Sequence, residues 1–278
     1  MSRLIALLTD FGTTDIYVGV MKGVMLGIAP QVQFVDLTHA IQPQNVREAA
    51  FTLLNSYRFF PPDTIFLVVV DPGVGGSRNP IAVRAEDYIF VASDNGVLSY
   101  ALRDFDSVQA VALDKPYYAR PGTSDTFHGR DVFAPAAAHL AAGAALQSLG
   151  SPLAQAVTLP EPTLTVEGKR ITGEVLHVDH FGSAVTSIGL LRWVAPGRLT
   201  LNTRFGEPIS LPIPADNVTI TIAKQNLGGI HRTYAEVSRG DTLALVGSNG
   251  YLELSVNQGS FASRVDVQIG DTVEVQIG

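Results

Sequence analysis

Short apolar runs alternate with segments of helical spacing through the first half of the chain. Five of the runs are predicted strands, and they read RLIALL, VQFVDL, TIFLVVV, IAVRA and YIFVAS. Two segments between them repeat apolar residues with a helical period, IYVGVMKGVMLGI and NVREAAFTLLNSYRFF. This alternation predicts an α/β domain whose sheet is mostly parallel, with helices on both of its faces.

Local signals mark the ends of the predicted helices. Pro30 is expected to end the first helix. Asn45 and Glu48 have the spacing of a capping box at the start of the second. A third, alanine-rich helix is predicted from Asp131 to Leu146, with a disturbance near Pro135.

The second half of the chain has the two-residue period of strands. Its segments include TGEVLHVDHFG, VTITIAK, DTLALVG and DTVEVQIG, separated by Gly, Asn and Asp, and none of them favours a helix. We therefore predict a smaller all-β domain, either a sandwich or a barrel. The expected division is an α/β domain over residues 1–155, a linker rich in Pro, Ser and Thr over 156–168, and the all-β domain over 169–278.

Composition and charge narrow the class of protein. Hydrophobic residues make up 46% and charged residues 16%, which is typical of a globular chain. The net charge of -7, without a run of Lys or Arg, argues against nucleic-acid binding. No apolar segment approaches the length of about 18 residues that predicts a membrane span. The absence of cysteine excludes disulfides and thiolate metal sites. The start, MSRLIALLTDFG, reads as a strand rather than a signal peptide, so we expect a soluble cytoplasmic protein.

Aspartate ends four of the apolar runs in the first half, at Asp10, Asp36, Asp71 and Asp94. Ligands of open α/β sheets bind beyond the carboxyl ends of the strands, so these carboxylates are expected to line one crevice. The alternative for each is a helix cap or a turn.

Asp10 and Asp15 bracket the predicted start of the first helix. Asp15 is expected in the first turn, capped by Thr13 or Thr14, where the helix dipole alone favours a carboxylate. Asp10 has less structural reason to be there, and a carboxylate can accept two hydrogen bonds from the vicinal diol of a ribose.

The stretch VVVDPGVGGSR, from Val68 to Arg78, has the glycine content of a phosphate-binding loop. A P-loop also needs a Lys followed by Ser or Thr and a helix, whereas here a strand follows. Phosphate binding is therefore not expected. The glycines allow a tight path with positive φ that folds Arg78 back toward Asp71, although a surface hairpin with a weak ion pair fits the same residues.

His128 and Gly129 directly precede the alanine-rich helix. A helix N-terminus favours an anion, and a histidine there can hold or activate a water molecule. Gly129 leaves room for something small. The alternative is a capping or packed histidine.

Two loops of the β domain combine polar side chains with an aromatic residue and glycine. They are VDHFGSAVTSI, from Val178 to Ile188, and GSNGYLELSVNQG, from Gly247 to Gly259. Such loops suit a ligand with a flat ring and a polar tail, but they are also typical of β-turns.

Seven motifs together resemble those of the S-adenosyl-L-methionine (SAM) hydroxide adenosyltransferase family, the SAM hydrolases. They are TDFGTTDIYVGVMKG, DLTH, VVVDPGVGGSR, SDNGVL, TFHGRD, VDHFG and GSNGYLELSVNQG. The resemblance implies a reaction in which hydroxide derived from water displaces methionine from the ribose C5′ of SAM and gives adenosine. It also implies that no cofactor or metal is needed. The expected assembly is a homotrimer whose sites lie between the N-terminal domain of one subunit and the C-terminal domain of another.

The resemblance assigns roles residue by residue. Its catalytic set falls on Asp71, Arg78 and His128. The expected substrate-binding set is Asp10, Asp15, Thr126, Phe127, Gly129, Asp179, Phe181, Ser183, Ser248 and Tyr251.

Within the substrate-binding set, Asp10 is expected at the ribose and Phe181 stacked on the adenine. Asp15, Asp179 and Ser248 are expected at the methionine end of the substrate.

This chain also departs from the relatives at several positions. Ser183 stands where relatives commonly have Asn, and Gln44 where fluorinase has Trp. Asn249 replaces an arginine that fluorinase uses near the substrate carboxylate, so methionine binding is expected to be weaker or differently arranged. Fluorinase has Tyr in place of His128 and Ser in place of Gly129, so the chain resembles the hydrolase branch rather than the halogenating one.

Two other functions fit parts of the sequence. Asp10, Asp36 and His39 could hold Mg²⁺ in a metal-dependent nucleotide phosphohydrolase. A non-catalytic protein that binds a nucleoside or SAM would use the same polar loops.

Overall fold

The computed structural model describes residues 3–278, which divide into two units between Leu159 and Pro160. The strands of the first unit are β1 Leu4–Thr9, β2 Gln33–Thr38, β3 Ile65–Val69, β4 Pro80–Ala85, β5 Tyr88–Ser93, β6 Val108–Ala112 and β7 Pro152–Leu153. They form a seven-stranded sheet in the order β2-β1-β3-β5-β4-β6-β7. All five strands predicted for the first half are therefore present.

The sheet is mixed rather than mostly parallel. β1, β2, β3 and β5 pair in parallel, whereas β4 is antiparallel to β5 and β6, and β7 is antiparallel to β6. Only Glu86 and Asp87 separate β4 from β5. A parallel crossover needs a dozen or more residues, so this two-residue connection requires a hairpin.

The described residues of the first unit contain four α-helices, α1 Tyr17–Ile28, α2 Val46–Ser56, α3 Ser99–Leu102 and α4 Ala134–Ala141. Successive residues of a strand point to opposite faces of the sheet. Ile5 and Leu7 of β1 lie in one apolar cluster with residues of α1 and α4. Ala6 and Leu8 lie in a second cluster with residues of α2.

Only one of the two hydrogen bonds of the predicted α2 capping box is present. Asn45 Oδ1 accepts the backbone N–H of Glu48 at 3.0 Å. The Glu48 carboxylate accepts the N–H of Gln42 instead of that of Asn45, which bonds to the Gln42 carbonyl. Glu48 thus ties the preceding loop to the first turn of the helix.

The predicted start of α1 was wrong. The helix begins at Tyr17, after Ile16, and no side chain caps it. The preceding residues form a turn in which Gly12, at φ +66°, donates its N–H to the His39 carbonyl at 2.7 Å. This turn delays the helix, so Asp15 lies before its first turn and is exposed.

The alanine-rich helix starts earlier and ends sooner than predicted. A π-helical turn spans Gly129–Phe133 and runs directly into α4, which ends at Ala141. Pro135 has no N–H for the Asp131 carbonyl, and that carbonyl accepts the Arg120 N–H at 2.8 Å. The disturbance predicted near Pro135 therefore appears as the π turn.

The second unit is antiparallel throughout its two sheets. Its strands are β8 Leu164–Glu167, β9 Arg170–Val178, β10 Ala184–Gly189, β11 Leu191–Ala195, β12 Arg198–Asn202, β13 Ser210–Pro214, β14 Val218–Ile222, β15 Gln225–Gly228, β16 Thr242–Val246, β17 Tyr251–Val256 and β18 Thr272–Ile277. Eight of them form a sheet in the order β15-β14-β18-β9-β10-β17-β16, with β8 paired to β9. A bridge between His231 and Leu245 draws its two edges together, so the sheet resembles a nearly closed barrel. β11, β12 and β13 form a separate small sheet.

Two details of this unit differ from the sequence prediction. The stretch expected as a linker contains β8, because LTVEGKRIT makes a tight hairpin with β9. One short helix, α5 Phe261–Val265, follows β17 where none was predicted, and Ser260 caps it by accepting the Ser263 N–H at 3.1 Å. No helix within residues 3–278 combines the length and apolar character needed to cross a bilayer.

Candidate active site

Asp71, Arg78 and His128 form one hydrogen-bonded set in the first unit. Arg78 Nε lies 3.0 Å from Asp71 Oδ1, and Nη2 lies 2.5 Å from Asp71 Oδ2. The same Nη2 lies 2.7 Å from His128 Nδ1. The Arg78 and Asp71 side chains are only 10% and 6% exposed, so the guanidinium and carboxylate are held largely out of water. The structure thus brings together the three residues predicted as catalytic.

The glycines after Asp71 make this geometry possible. Gly75 has φ +74°, and a Cβ on it would lie 2.3 Å from the Asp125 carbonyl oxygen. The loop therefore touches the backbone of the segment that leads to His128. A Cβ on Gly73 would lie 3.2 Å from Cγ of Arg78, so this glycine leaves space for the arginine stem.

Burial and the neighbouring charge keep His128 neutral. Burial lowers its pKa below the ordinary 6.5, and the positive charge of Arg78 lowers it further, against smaller opposing effects of Asp71, Asp125 and Asp131. A guanidinium has only donors, so His128 Nδ1 accepts the bond from Arg78. The neutral ring then carries its proton on Nε2.

Gly129 is closely packed by side chains and does not border an open space. A Cβ there would lie 3.1 Å from the Phe127 ring and 3.2 Å from Met21 Sδ. Phe127 itself makes edge contacts with Phe11 and Tyr17, with ring centroids 6.0 and 5.2 Å apart. The packing of Phe127 and Gly129 thus fixes the position of the backbone at His128.

The other strand-end aspartates have separate partners. Asp10 Oδ2 accepts the Gln44 N–H at 2.8 Å, which leaves Oδ1 for a ligand. Asp94 is buried and accepts the Val157 N–H at 2.7 Å, so it anchors a loop. Thr126 is exposed, and its hydroxyl lies 3.2 Å from that of Ser124.

Asp36 and His39 form an internal network. Asp36 Oδ2 bonds to Lys22 at 2.7 Å, and Oδ1 lies 3.0 Å from His39 Nε2. His39 Nδ1 lies 2.9 Å from Thr9 Oγ1. Burial raises the pKa of Asp36, but the bonds from Lys22 and His39 outweigh it and hold that pKa below its ordinary value. Within the part of the chain described, no three His, Asp or Glu side chains converge as a metal site.

The second unit contains a cavity of about 830 Å³ lined by four predicted residues, Asp179, Phe181, Ser183 and Ser248. Asp179 Oδ1 accepts the N–H groups of Phe181 and Ser183 at 2.9 and 2.7 Å, so it shapes the turn and leaves Oδ2 available. Phe181 is 76% exposed, and a ring that stacks on a ligand must be accessible in this way. Tyr251 does not line this cavity; it is 1% exposed and its ring packs on Gly189.

The lining residues that escaped the sequence prediction include Arg232, Tyr234 and Glu253. The Arg232 guanidinium lies 4.1 Å from the centroid of the Trp193 ring, and Nη2 bonds to the Ala195 carbonyl at 3.3 Å. Arg232 and Tyr234 lie in a connection without a recognisable motif. Glu253 lies inside GSNGYLELSVNQG, and its charge in an apolar strand was the signal that could have identified it.

Comparisons with known proteins agree with these motifs. The chain matches the sequence model of the SAM hydroxide adenosyltransferase N-terminal domain over residues 5–150 and that of the C-terminal domain over residues 173–274. It is 36% identical to the (R)-S-adenosyl-L-methionine hydrolase of Thermus thermophilus, over 98% of this chain and 99% of that protein. A fluorinase of Actinopolyspora mzabensis is 29% identical over 98% of this chain and 96% of its own.

One solved structure, an uncharacterized conserved protein from Thermotoga maritima, has a TM-score of 0.85 and 33% identity, and covers 98% of this chain and 99% of its own. The family models match both halves of the chain, and the relatives match it from end to end. This chain therefore belongs to the SAM hydroxide adenosyltransferase family.

Proposed function

We propose that this protein hydrolyses SAM to adenosine and L-methionine by attack of water-derived hydroxide on the ribose C5′. The observation that carries this function is the hydrogen-bonded set of Asp71, Arg78 and His128 in a chain of this family. The proposed catalytic roles belong to these three residues.

The substrate itself makes the displacement feasible. The sulfonium leaves as a neutral thioether, so the leaving group needs no acid and the reaction needs no cofactor. What the protein must supply is a nucleophile held in line with the C5′–S bond, and orientation of this kind can provide about 7 to 11 kcal/mol at best.

The three residues divide this task. The Arg78 charge favours the hydroxide form of a nearby water and so lowers its pKa. His128 presents Nε2–H, which orients the oxygen by donating to it, and Asp71 fixes the guanidinium through two bonds. The water loses a proton to solvent, its oxygen bonds C5′, and the C5′–S electron pair remains on the methionine sulfur.

The cavity of the second unit fits the rest of the substrate. Phe181 and Tyr234 offer aromatic faces for adenine, and aromatic stacking tolerates a flat ring of this size. Asp179 Oδ2 is available for the ammonium, because only Oδ1 accepts the backbone N–H groups of the turn. Ser248 and Arg232 can bind the carboxylate, and Arg232 supplies the positive charge that Asn249 does not.

The first unit would contribute Asp10 to the ribose and Asp15 to the methionine end. In the homotrimer that we propose, sites between subunits bring both units to one SAM molecule. We also propose that helices cover both faces of the first sheet. The same proposal includes a cytoplasmic location and catalysis without metal. The metal-dependent alternative has less support because Asp36 bonds to Lys22, His39 bonds to Thr9, and the Asp36 and His39 side chains lie 3.0 Å from each other.

The substrate configuration is part of the proposal. The name of the Thermus thermophilus relative specifies the (R) form of SAM, which differs from the (S) form at the sulfonium. We extend this preference to the present chain. Separate incubations with the two epimers should give adenosine faster from (R)-SAM, and equal rates would contradict the preference while leaving the hydrolysis intact.

The main test is an incubation of the purified protein with SAM followed by chromatography. Adenosine and methionine should appear in equal amounts, with and without EDTA. Unchanged SAM would indicate a binding protein, and loss of turnover in EDTA would favour the metal-dependent alternative. A chlorinated or fluorinated nucleoside in halide buffer would place the chain with the halogenating relatives.

A further inference from the structure

Glu253 occupies an unusual position for a carboxylate. It lies in the middle of β17, where its partners across the neighbouring strands are Leu245 and Val185. Among residues 3–278 its carboxylate has neither a hydrogen bond nor an ion pair. Burial raises its pKa, and the nearby negative charge of Asp179 raises it further. A half-buried carboxylate without a partner opposes folding. A bound ligand that pairs with it would explain why it is there.

Gly247 leaves space for the Glu253 side chain. A Cβ on Gly247 would lie 1.7 Å from Oε1 of Glu253, so the carboxylate lies directly over this glycine. Gly247 precedes Ser248, and both line the same cavity as Glu253 and Asp179. The carboxylate therefore faces a ligand space rather than the apolar core.

The missing partner of Glu253 should be a cation that enters this cavity. Asp179 uses Oδ1 for two backbone N–H groups, so only its Oδ2 can serve a ligand. An ammonium has three donors and one carboxylate oxygen leaves two of them unmatched. A second carboxylate at the cavity wall completes the set.

We propose that Glu253 is a specificity-determining residue that, together with Asp179, binds the ammonium group of the amino-acid end of SAM. The inference rests on the proposed hydrolysis and adds to it a residue and a role. Glu253 touches the substrate far from C5′, so it governs substrate binding rather than the chemical step.

Steady-state kinetics with a matched ligand pair tests this assignment. SAM carries the amino-acid end, whereas 5′-methylthioadenosine keeps adenine, ribose and sulfur without it. Glu253→Gln should raise the KM for SAM about tenfold or more, the effect expected when a charge-assisted bond is lost. The kcat should stay within about threefold, and the inhibition constant of 5′-methylthioadenosine within about twofold.

Two further variants and a melting curve make the result decisive. Glu207→Gln removes the same charge from an exposed position of the same unit, outside the cavity, and should leave the KM unchanged. Glu253→Asp keeps the charge with a shorter reach and should fall between wild type and Glu253→Gln. Because the amide removes a buried charge, the thermal midpoint of Glu253→Gln should not decrease.

Each of the following results would contradict the proposed role of Glu253. An unchanged KM for SAM means that Glu253 does not bind the ammonium. An equal weakening of both ligands, or a lower thermal midpoint, means that the residue is structural. In these cases wild-type hydrolysis stays intact, whereas a wild type that releases no adenosine from SAM would overturn the proposed function itself and this inference with it.

Discussion

Nη2 of Arg78 lies 2.7 Å from Nδ1 of His128 while it also bonds to Asp71. One nitrogen thus joins a carboxylate to an imidazole in a single hydrogen-bonded set. The planar guanidinium reaches both partners at fixed angles, which a lysine ammonium cannot do. The order of the whole set therefore depends on Arg78.

Replacing Arg78 by lysine should lower kcat by about a hundredfold or more, in the range typical of a lost catalytic group. Binding of SAM should change by only a few-fold, because the proposed adenine and methionine contacts do not include Arg78. Single-turnover rates and equilibrium binding separate the two effects. Arg84→Lys on β4 is the matched control, and an Arg78→Lys enzyme with wild-type kcat would disprove the role.

The pH dependence should follow His128. Its pKa in the folded protein is lowered, so the ring stays neutral until the pH falls below the ordinary value of 6.5. As the pH falls through this lowered pKa, a proton enters Nδ1, the bond from Arg78 is lost and kcat decreases. The unfolded chain takes up the same proton at higher pH, so this group also makes the folded state less stable in acid.

A pH profile of kcat with His128→Asn checks this origin. Asparagine keeps an acceptor for Arg78 but does not titrate. The variant should be slower than wild type and should lack the acid limb. If the limb persists unchanged, another group causes it.

The Gly75→Ala variant tests whether the close approach of Gly75 to the Asp125 carbonyl matters beyond the strain of a positive φ. A methyl group there meets the Asp125 carbonyl at 2.3 Å and also requires φ +74°. Gly122 has a similar φ of +70° but open space around the same position. Gly122→Ala should therefore cost only about 1 kcal/mol of stability, whereas Gly75→Ala should also move Arg78 from His128 and reduce kcat at least tenfold. Equal kcat values in the two variants would show that the close approach does not matter.

Arg232→Gln should weaken recognition of the substrate carboxylate. The expected result is a KM for SAM raised about tenfold, as for the loss of one charge-assisted bond. Decarboxylated SAM lacks that carboxylate, so its KM should be the same for both enzymes. Arg192→Gln, on the exposed side of β11, serves as the control. A parallel increase for both substrates would point to a structural role against Trp193.

The sequence was a reliable guide where a motif requires a particular backbone. Three glycines after Asp71 predicted a path that returns Arg78, and the structure has it. The family resemblance then added His128, which is fifty positions away and could not be paired with Arg78 from spacing alone.

Other features depended on contacts that a linear pattern does not contain. Tyr251 is in a loop motif but packs on Gly189, because the strand after the loop enters the core. Arg232 and Tyr234 reach the cavity from the connection between β15 and β16, where Tyr234 begins a single 3-10 turn over Tyr234–Glu236. Asp15 lies outside α1 because a backbone bond between Gly12 and His39 holds the preceding turn.

The packing around Gly129 constrains substitutions beside His128. The resemblance places the serine of fluorinase at this position, and here a β-carbon would lie 3.1 Å from the Phe127 ring and 3.2 Å from Met21 Sδ. Exchanging His128 and Gly129 for the fluorinase residues would therefore require the Phe127 ring or the Met21 side chain to shift by a few tenths of an ångström. Met21 lies on a different helix, so an exchange beside His128 is linked by packing to a side chain outside the catalytic set.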